Sequence, residues 1–254
     1  MHIDKLLILF LTIIALATYF QTVTGFGMGM IVMGVANGLG LFTVATIAAT
    51  ISLLSLVNCA VAMHGTLNHI NWRTTRLVVY GIAPSVICGV LLLNNLGSSS
   101  SNFVKLLLGC IIIYSGLSLV LKITTNHRPL SNLSYFLSGL FSGIFSGMFG
   151  ISGPPLVYQF YRQKIDLATI RYSLIFLFSI TAGIRTLFVA TQGGLTAEVL
   201  TLSFFSLPVV ALATFLAKKY PPPFRYQTLR RISCLMLIVI GLSLVISAVQ
   251  KITT

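Results

Sequence analysis

The chain has 254 residues, 56% of them hydrophobic and only 7% charged, with 16 Lys and Arg against three Asp and Glu. An ordinary soluble domain carries about 25% charged residues, so a soluble fold is excluded and lipid must solvate most side chains. The formal charge of +13 would suggest nucleic acid in a soluble protein, but the basic residues sit mostly in short loops. There they orient helices and meet lipid headgroups, which leaves the lipid bilayer and not nucleic acid as their partner.

Taken in chain order, the sequence predicts an all-α polytopic membrane protein of eight hydrophobic segments in one membrane domain, 1–254. The first twenty residues resemble a signal peptide, yet Ala15-Leu16-Ala17-Thr18-Tyr19-Phe20 is a poor cleavage site and the apolar pattern runs on, so we read a retained membrane segment. A long segment at 5–36 is broken by Thr24-Gly25-Phe26-Gly27-Met28-Gly29, and simple helices follow at about 41–63, 74–94 and 103–122. A second long segment at 131–160 is broken by Gly147-Met148-Phe149-Gly150-Ile151-Ser152-Gly153-Pro154-Pro155, then helices at about 168–191, 198–217 and 228–250 complete the chain. Cys59, Cys88, Cys110 and Cys234 lie in apolar runs with no Cys-x-x-Cys pair and no His at ligand spacing. They read as small core residues, and no metal or cofactor is expected.

The halves match. Phe26-Gly27 recurs as Phe149-Gly150 and Ala45-Thr46-Ile47 as Ala168-Thr169-Ile170, both at a separation of 123. Pro84 matches Pro208 at 124, and Gly116-Leu117-Ser118-Leu119-Val120 recurs as Gly241-Leu242-Ser243-Leu244-Val245 at 125. Gene duplication accounts for an offset that drifts so little, with repeat one at 1–126 and repeat two at 127–254.

Loop charge then sets the topology. If both broken segments crossed the membrane once, six charges would face nine, which is no bias. If each instead reverses at its glycines and leaves on the side it entered, twelve share one side: Arg73, Arg76, Lys122, Arg128, Arg162, Lys164, Arg171, Lys218, Lys219, Arg225, Arg230 and Arg231. Only Lys5, Lys105 and Lys251 lie opposite. The second arrangement obeys the positive-inside rule and makes the halves inverted repeats.

The glycine breaks are the candidate site. Irregular backbone at membrane depth is tolerable only where protein or a polar cavity satisfies it, and two such breaks in matching positions point to a midplane binding site. Gly25, Gly27 and Gly29 in the first break and Gly150, Ser152 and Gly153 in the second are the expected solute contacts. The half-helix starts beyond them favour an anion. Pro154 marks the start of the second half-helix, capped by Ser152 or Gly153, although Pro154 and Pro155 each remove a donor. Close helix packing is the plainer use of glycine in membranes, and it is our reading for Gly139, Gly143 and Gly147, spaced four apart. Arg185, inside an apolar run, either contacts the anion or serves structure; Gln21 and Asn58 bond either solute or neighbouring helices.

Gly150-Ile151-Ser152-Gly153 also looks like the nucleophile motif of rhomboid proteases. A serine nucleophile needs a base, and His2, His64, His69 and His127 all precede Ser152, whereas rhomboids place theirs later. The matching residue in the first half is Gly29, so the motif exists for its backbone and no enzyme is expected.

Over essentially the whole chain, Gly25-Phe26-Gly27-Met28-Gly29 and Gly150-Ile151-Ser152-Gly153-Pro154-Pro155-Leu156 resemble the two glycine-rich motifs of the TauE/SafE family. The first copy departs, with Met28, Met30 and Val32 where many members carry more glycines and a proline. The resemblance implies a carrier, most simply an exporter, of a small anion: sulfite, another sulfur oxyanion, an organosulfonate or a carboxylate. Alternating access about the two breaks is the expected mechanism. No acidic residue is predicted at mid-depth, so nothing supports a carboxylate proton relay. An anion channel on the same scaffold and a non-transporting accessory protein are the alternatives, and the sequence carries no signal for an oligomeric state.

Overall fold

The computed structural model describes residues 2–64, 68, 70–97, 101–120, 131–161, 163, 165–220 and scattered positions from 235 to 249. Among them the chain is helical throughout: α1 (His2–Thr24), α2 (Met28–Gly38), α3 (Val44–Met63), α4 (Trp72–Gly97), α5 (Ser101–Val120), α6 (Asn132–Phe149), α7 (Gly153–Tyr161), α8 (Leu167–Thr191) and α9 (Ala197–Lys219). Five of these, α1, α3, α4, α8 and α9, are long and apolar enough to cross a bilayer. Leu16, Tyr80, Leu187 and Phe204 are each more than two-thirds exposed, an outer surface suited to acyl chains rather than water.

Local chemistry sets the helix starts. Thr43, Ser131, Asp166 and Thr196 hold extended backbone and accept the N–H of Thr46, Ser134, Thr169 and Val199. Each thereby satisfies a donor that the first turn leaves without an intrahelical partner. Pro84 and Pro208 lie near the middle of α4 and α9.

Both broken segments fold back on themselves. Thr18 Oγ1 lies 3.4 Å from Met28 Sδ, and the rings of Phe10 and Phe42 meet edge to face at 5.3 Å; an unbroken helix would hold Thr18 and Met28 about 15 Å apart. In the second segment Ser142 Oγ donates to the Ser152 carbonyl, and Gln159 Nε2 donates to Ser134 Oγ at 2.8 Å. So α2 runs back beside α1, and α7 beside α6.

The two turns close alike. Gly25 at φ 87° donates its N–H to Gln21 O, and Gly150 at φ 68° donates to Ser146 O, the left-handed residue that commonly ends a helix. Structurally, then, Gly25 corresponds to Gly150 at a separation of 125, whereas the Phe-Gly match had set 123. The left-handed residue must directly follow the helix end: α1 ends at Thr24 and α6 at Phe149, which places Phe26 inside its turn but makes Phe149 the last residue of its helix.

Contacts between distant residues fix the ends of the bundle. Asn94 bonds Gln192 at 2.7 Å and Thr46 bonds Glu198 at 3.2 Å at one end. At the other, Lys218 Nζ donates to the Val61 and His64 carbonyls, and Asn71 N–H to Ser173 Oγ. This second end carries the exposed Arg73, Arg76 and Lys219 and is the basic face of the bundle. Of the loop charges counted above, Lys122, Arg128, Arg162, Lys164, Arg225, Arg230, Arg231 and Lys251 lie outside the described residues, as does most of the predicted segment 228–250.

Glycine packing joins the parts. A Cβ on Gly139 or Gly147 would strike the backbone of α4, and one on Gly143 would strike Ser85, so these three serve close helix contact as their spacing suggested. Gly81 and Gly89 on α4 return the same contact against α6.

Candidate solute-binding site

The two hairpin turns meet inside the bundle. Gly29, in the first turn of α2, lies so close to the second break that a Cβ would stand 2.6 Å from Gly150 O, and the Met30 side chain covers Gly153. Around this crossing lies a cavity of about 20 Å³, room for about one water. Its lining includes Gly27, Gly29, Gly150, Ser152, Gly153 and Gln21. Six of the nine residues expected from sequence are therefore brought together. Gly25, Asn58 and Arg185 are not in the lining.

The remaining polar wall comes from Ser52 and Ser55 on α3, Ser146 on α6 and Thr181 on α8. Sequence reasoning missed all four, because a single hydroxyl in an apolar helix normally bonds its own backbone and leaves no pattern. Ser52 and Ser55, one helical turn apart, were the one available signal. These residues and Thr181 lie near the midpoints of α3 and α8, which puts the cavity midway between the two ends of the bundle.

A one-directional hydrogen-bond chain holds the first turn. Met28 N–H, which can only donate, meets Gln21 Oε1 at 3.1 Å and so fixes the orientation of that amide; Gln21 Nε2 then donates to Asn58 Oδ1 at 2.9 Å. Asn58 Nδ2 donates to Thr22 and Thr214, both at 2.8 Å, whose hydroxyls donate onward to the Thr18 and Val210 carbonyls. Asn58 thus ties α1, α3 and α9 together and spends its amide group on protein. Gln21 caps α2, and its second amide N–H has no protein partner among the described residues.

The second turn is held differently. Thr181 donates to carbonyls of its own helix, at 2.9 Å to Phe178 and 3.1 Å to Leu177, so the 3.0 Å contact with Ser152 has the Ser152 hydroxyl as donor. Arg185, 2% exposed, donates from Nε to Gly147 O at 3.0 Å and from Nη1 to Ser52 Oγ at 3.2 Å. The cation rests on the carbonyl end of α6, where the helix dipole is negative, directly behind the cavity-lining Ser52. A guanidinium offers five N–H donors; no acidic group pairs with this one among the described residues, and two bonds leave donors to spare.

The arrangement is a small polar pocket with helix starts on both sides, hydroxyls around it and a buried cation behind Ser52. The family model described as "Sulfite exporter TauE/SafE" matches residues 9–244. The chain is also similar to a protein of Cupriavidus necator named "Probable sulfite/organosulfonate exporter TauE", with 49% identity over 233 residues, 92% of this chain and 91% of that protein. The chain belongs to the TauE/SafE family. No solved structure matches it. TauE/SafE proteins are exporters, and this member is a multi-pass protein of the cell membrane. It is not an enzyme. In the TauE/SafE scaffold the rhomboid-like Ser152 faces the hydroxyl of Thr181, which cannot serve as the base that an activated serine requires.

Proposed function

We propose that this protein exports sulfite or a small organosulfonate by alternating access at the crossing of its two hairpins. The observation that carries the reading is the cavity shared by both breaks, with Gly29 against Gly150 and Arg185 behind Ser52. The family and the relative's name supply the solute class. The α1–α2 and α6–α7 hairpins enter from opposite faces as the two members of an inverted repeat. Rocking of one half against the other exposes the crossing to each side in turn.

A cavity of about 20 Å³ holds about one water, whereas sulfite has four heavy atoms. The conformation described is therefore closed, and loading requires Gly29 and Gly150 to part. Among the described residues, the donors left for the anion are the Gly29 N–H, the second Gln21 amide N–H and the guanidinium N–H groups of Arg185 beyond its two bonds. Export needs no proton relay, because an interior-negative membrane already drives a monovalent anion outward with about 2.3 kcal/mol per 100 mV.

Counterflow tests the proposal. Liposomes loaded with unlabelled sulfite should take up labelled sulfite transiently above equilibrium, with saturation. Flux that rises linearly with concentration and shows no counterflow would replace the carrier with a channel; no flux of sulfite or alkanesulfonates would remove both.

A further inference from the structure

The two hairpin turns make the same contact with chemically different partners. Gly150 leans on α3, where its Cβ would lie 3.4 Å from Ala48 Cα; Gly25 leans on α8, where its Cβ would lie 3.1 Å from both Cα and Cγ of Arg171. Ala48 and Arg171 also share the register of the Ala-Thr-Ile match, one residue beyond it at a separation of 123. An alanine therefore satisfies what this packing position demands. At Arg171 the chain instead carries a guanidinium whose Nε is buried with no hydrogen-bond partner among the described residues, an arrangement that costs free energy and needs a reason.

Position on α8 supplies one. At about 100° per residue, Arg171, Phe178, Ala182 and Arg185 fall on one face. Phe178 and Ala182 line the cavity, so the two arginines bracket it along a single helix. Arg171 stands two residues before Ser173, which meets Asn71 at the basic face; Arg185 stands on the opposite side of the cavity. The guanidinium of Arg171 also lies 5.3 Å from the Tyr172 ring.

We infer that Arg171 is an anion-binding residue on the basic-face approach to the cavity, receiving the sulfite or sulfonate group before it reaches the crossing. The inference rests on the exporter reading and adds to it that the solute path follows α8 and not α3. Two oxygens on one sulfur match the paired N–H groups of a guanidinium, a fit a lysine ammonium cannot reproduce.

The test is sided. In liposomes with the protein in one orientation, half-saturating sulfite or methanesulfonate is measured from each face for wild type, Arg171→Ala, Arg171→Lys and, as a control on the same face, Lys219→Gln. Arg171→Ala, which copies the residue found at position 48, should raise the half-saturating concentration at the basic face relative to the other face by about tenfold or more. Arg171→Lys should recover part of that loss, and Lys219→Gln should leave the ratio as in wild type. An Arg171→Ala protein that inserts normally and keeps the wild-type ratio would overturn the inference while leaving the exporter reading in place. Should Arg171→Ala fail to insert, Arg171→Gln is measured instead, and an unchanged ratio there overturns the inference equally. A wild-type protein that moves neither anion overturns the exporter reading and this inference together.

Discussion

Gly29 of α2 lies against the carbonyl of Gly150, with only 2.6 Å between that oxygen and the place a Cβ would occupy. Gly29 sits in ordinary helical backbone, unlike Gly25, Gly27 and Gly150, which have positive φ. Its glycine is therefore required by the neighbouring hairpin and not by its own conformation. Gly29→Ala should cost about 1–3 kcal/mol of stability through overpacking. It should also slow exchange sharply, because the carrier passes through this closed contact in each cycle and the added Cβ keeps the contact from forming. Thermal unfolding in detergent and sulfite counterflow measure the two effects; a variant normal in both would show that the hairpins do not need this contact.

Gly27 tests the other use of glycine. At φ 110° it begins the first-turn cap of α2, and a Cβ there would meet nothing closer than Phe20 at 3.4 Å. The penalty for Gly27→Ala is thus conformational, on the order of 1–2 kcal/mol. We expect lower thermal stability with measurable residual exchange. Complete loss of exchange in a protein of wild-type stability would show that the Gly27 backbone contacts the solute directly.

Both hairpins and the packing glycines were legible before the structure, and the rest was hidden for identifiable reasons. A helix interrupted by Thr24-Gly25-Phe26-Gly27 announces itself because little else puts such glycine density inside an apolar run. The register of the two breaks did not, since Phe-Gly repeats at 123 while the helix ends repeat at 125. Gln21 was legible as a polar residue near the break but not as the cap of Met28 N–H, because the partner lies seven residues on, across a turn whose path the sequence does not give. Ser52, Thr181 and the bond from Arg185 to Gly147 depend on how three helices meet.

Asn58 and Gln21 should separate in their kinetics. Asn58→Leu leaves the Gln21 amide, Thr22 and Thr214 without their partner, at a cost of about 1–3 kcal/mol for a buried group left unsatisfied. It should lower the unfolding temperature with little change in half-saturating sulfite. Gln21→Leu removes a cavity wall and the cap of α2, so half-saturation should rise as well. If Asn58→Leu raises half-saturation as much as Gln21→Leu, then the network is part of the binding surface.

Membrane orientation of the hairpins can be read with a water-soluble, impermeant thiol reagent on single cysteines in a variant lacking the four native ones. Leu39, just after α2, and Gln192, just after α8, are both exposed. They should label from one side. Asn68, after α3, and Gln163, after α7, should label from the other. Labelling of Leu39 and Gln163 from the same side would mean that the hairpins enter together, and the inverted arrangement would have to be abandoned.

Arg185 decides between a binding and a scaffolding role, and stability and transport should move in opposite directions. A buried cation that is only partly hydrogen-bonded pays a desolvation cost that an apolar residue of similar length does not. Arg185→Met removes two bonds, to Gly147 O and Ser52 Oγ; Ser52 keeps its own bond to Ala48 O at 2.9 Å, and the loss of about 1–3 kcal/mol at the Gly147 carbonyl is offset by the relief of the buried charge. We therefore expect the unfolding temperature of Arg185→Met to match or exceed that of wild type while sulfite exchange is lost. A scaffold role predicts the reverse: a fall of about 3 kcal/mol or more, as when a paired buried charge is broken, with exchange per folded molecule preserved. Arg185→Lys sharpens the comparison, because it keeps the charge but loses the planar fork that reaches Gly147 and Ser52 together. Retained stability with a large rise in half-saturating sulfite would locate the requirement in the geometry of the guanidinium rather than in its charge alone.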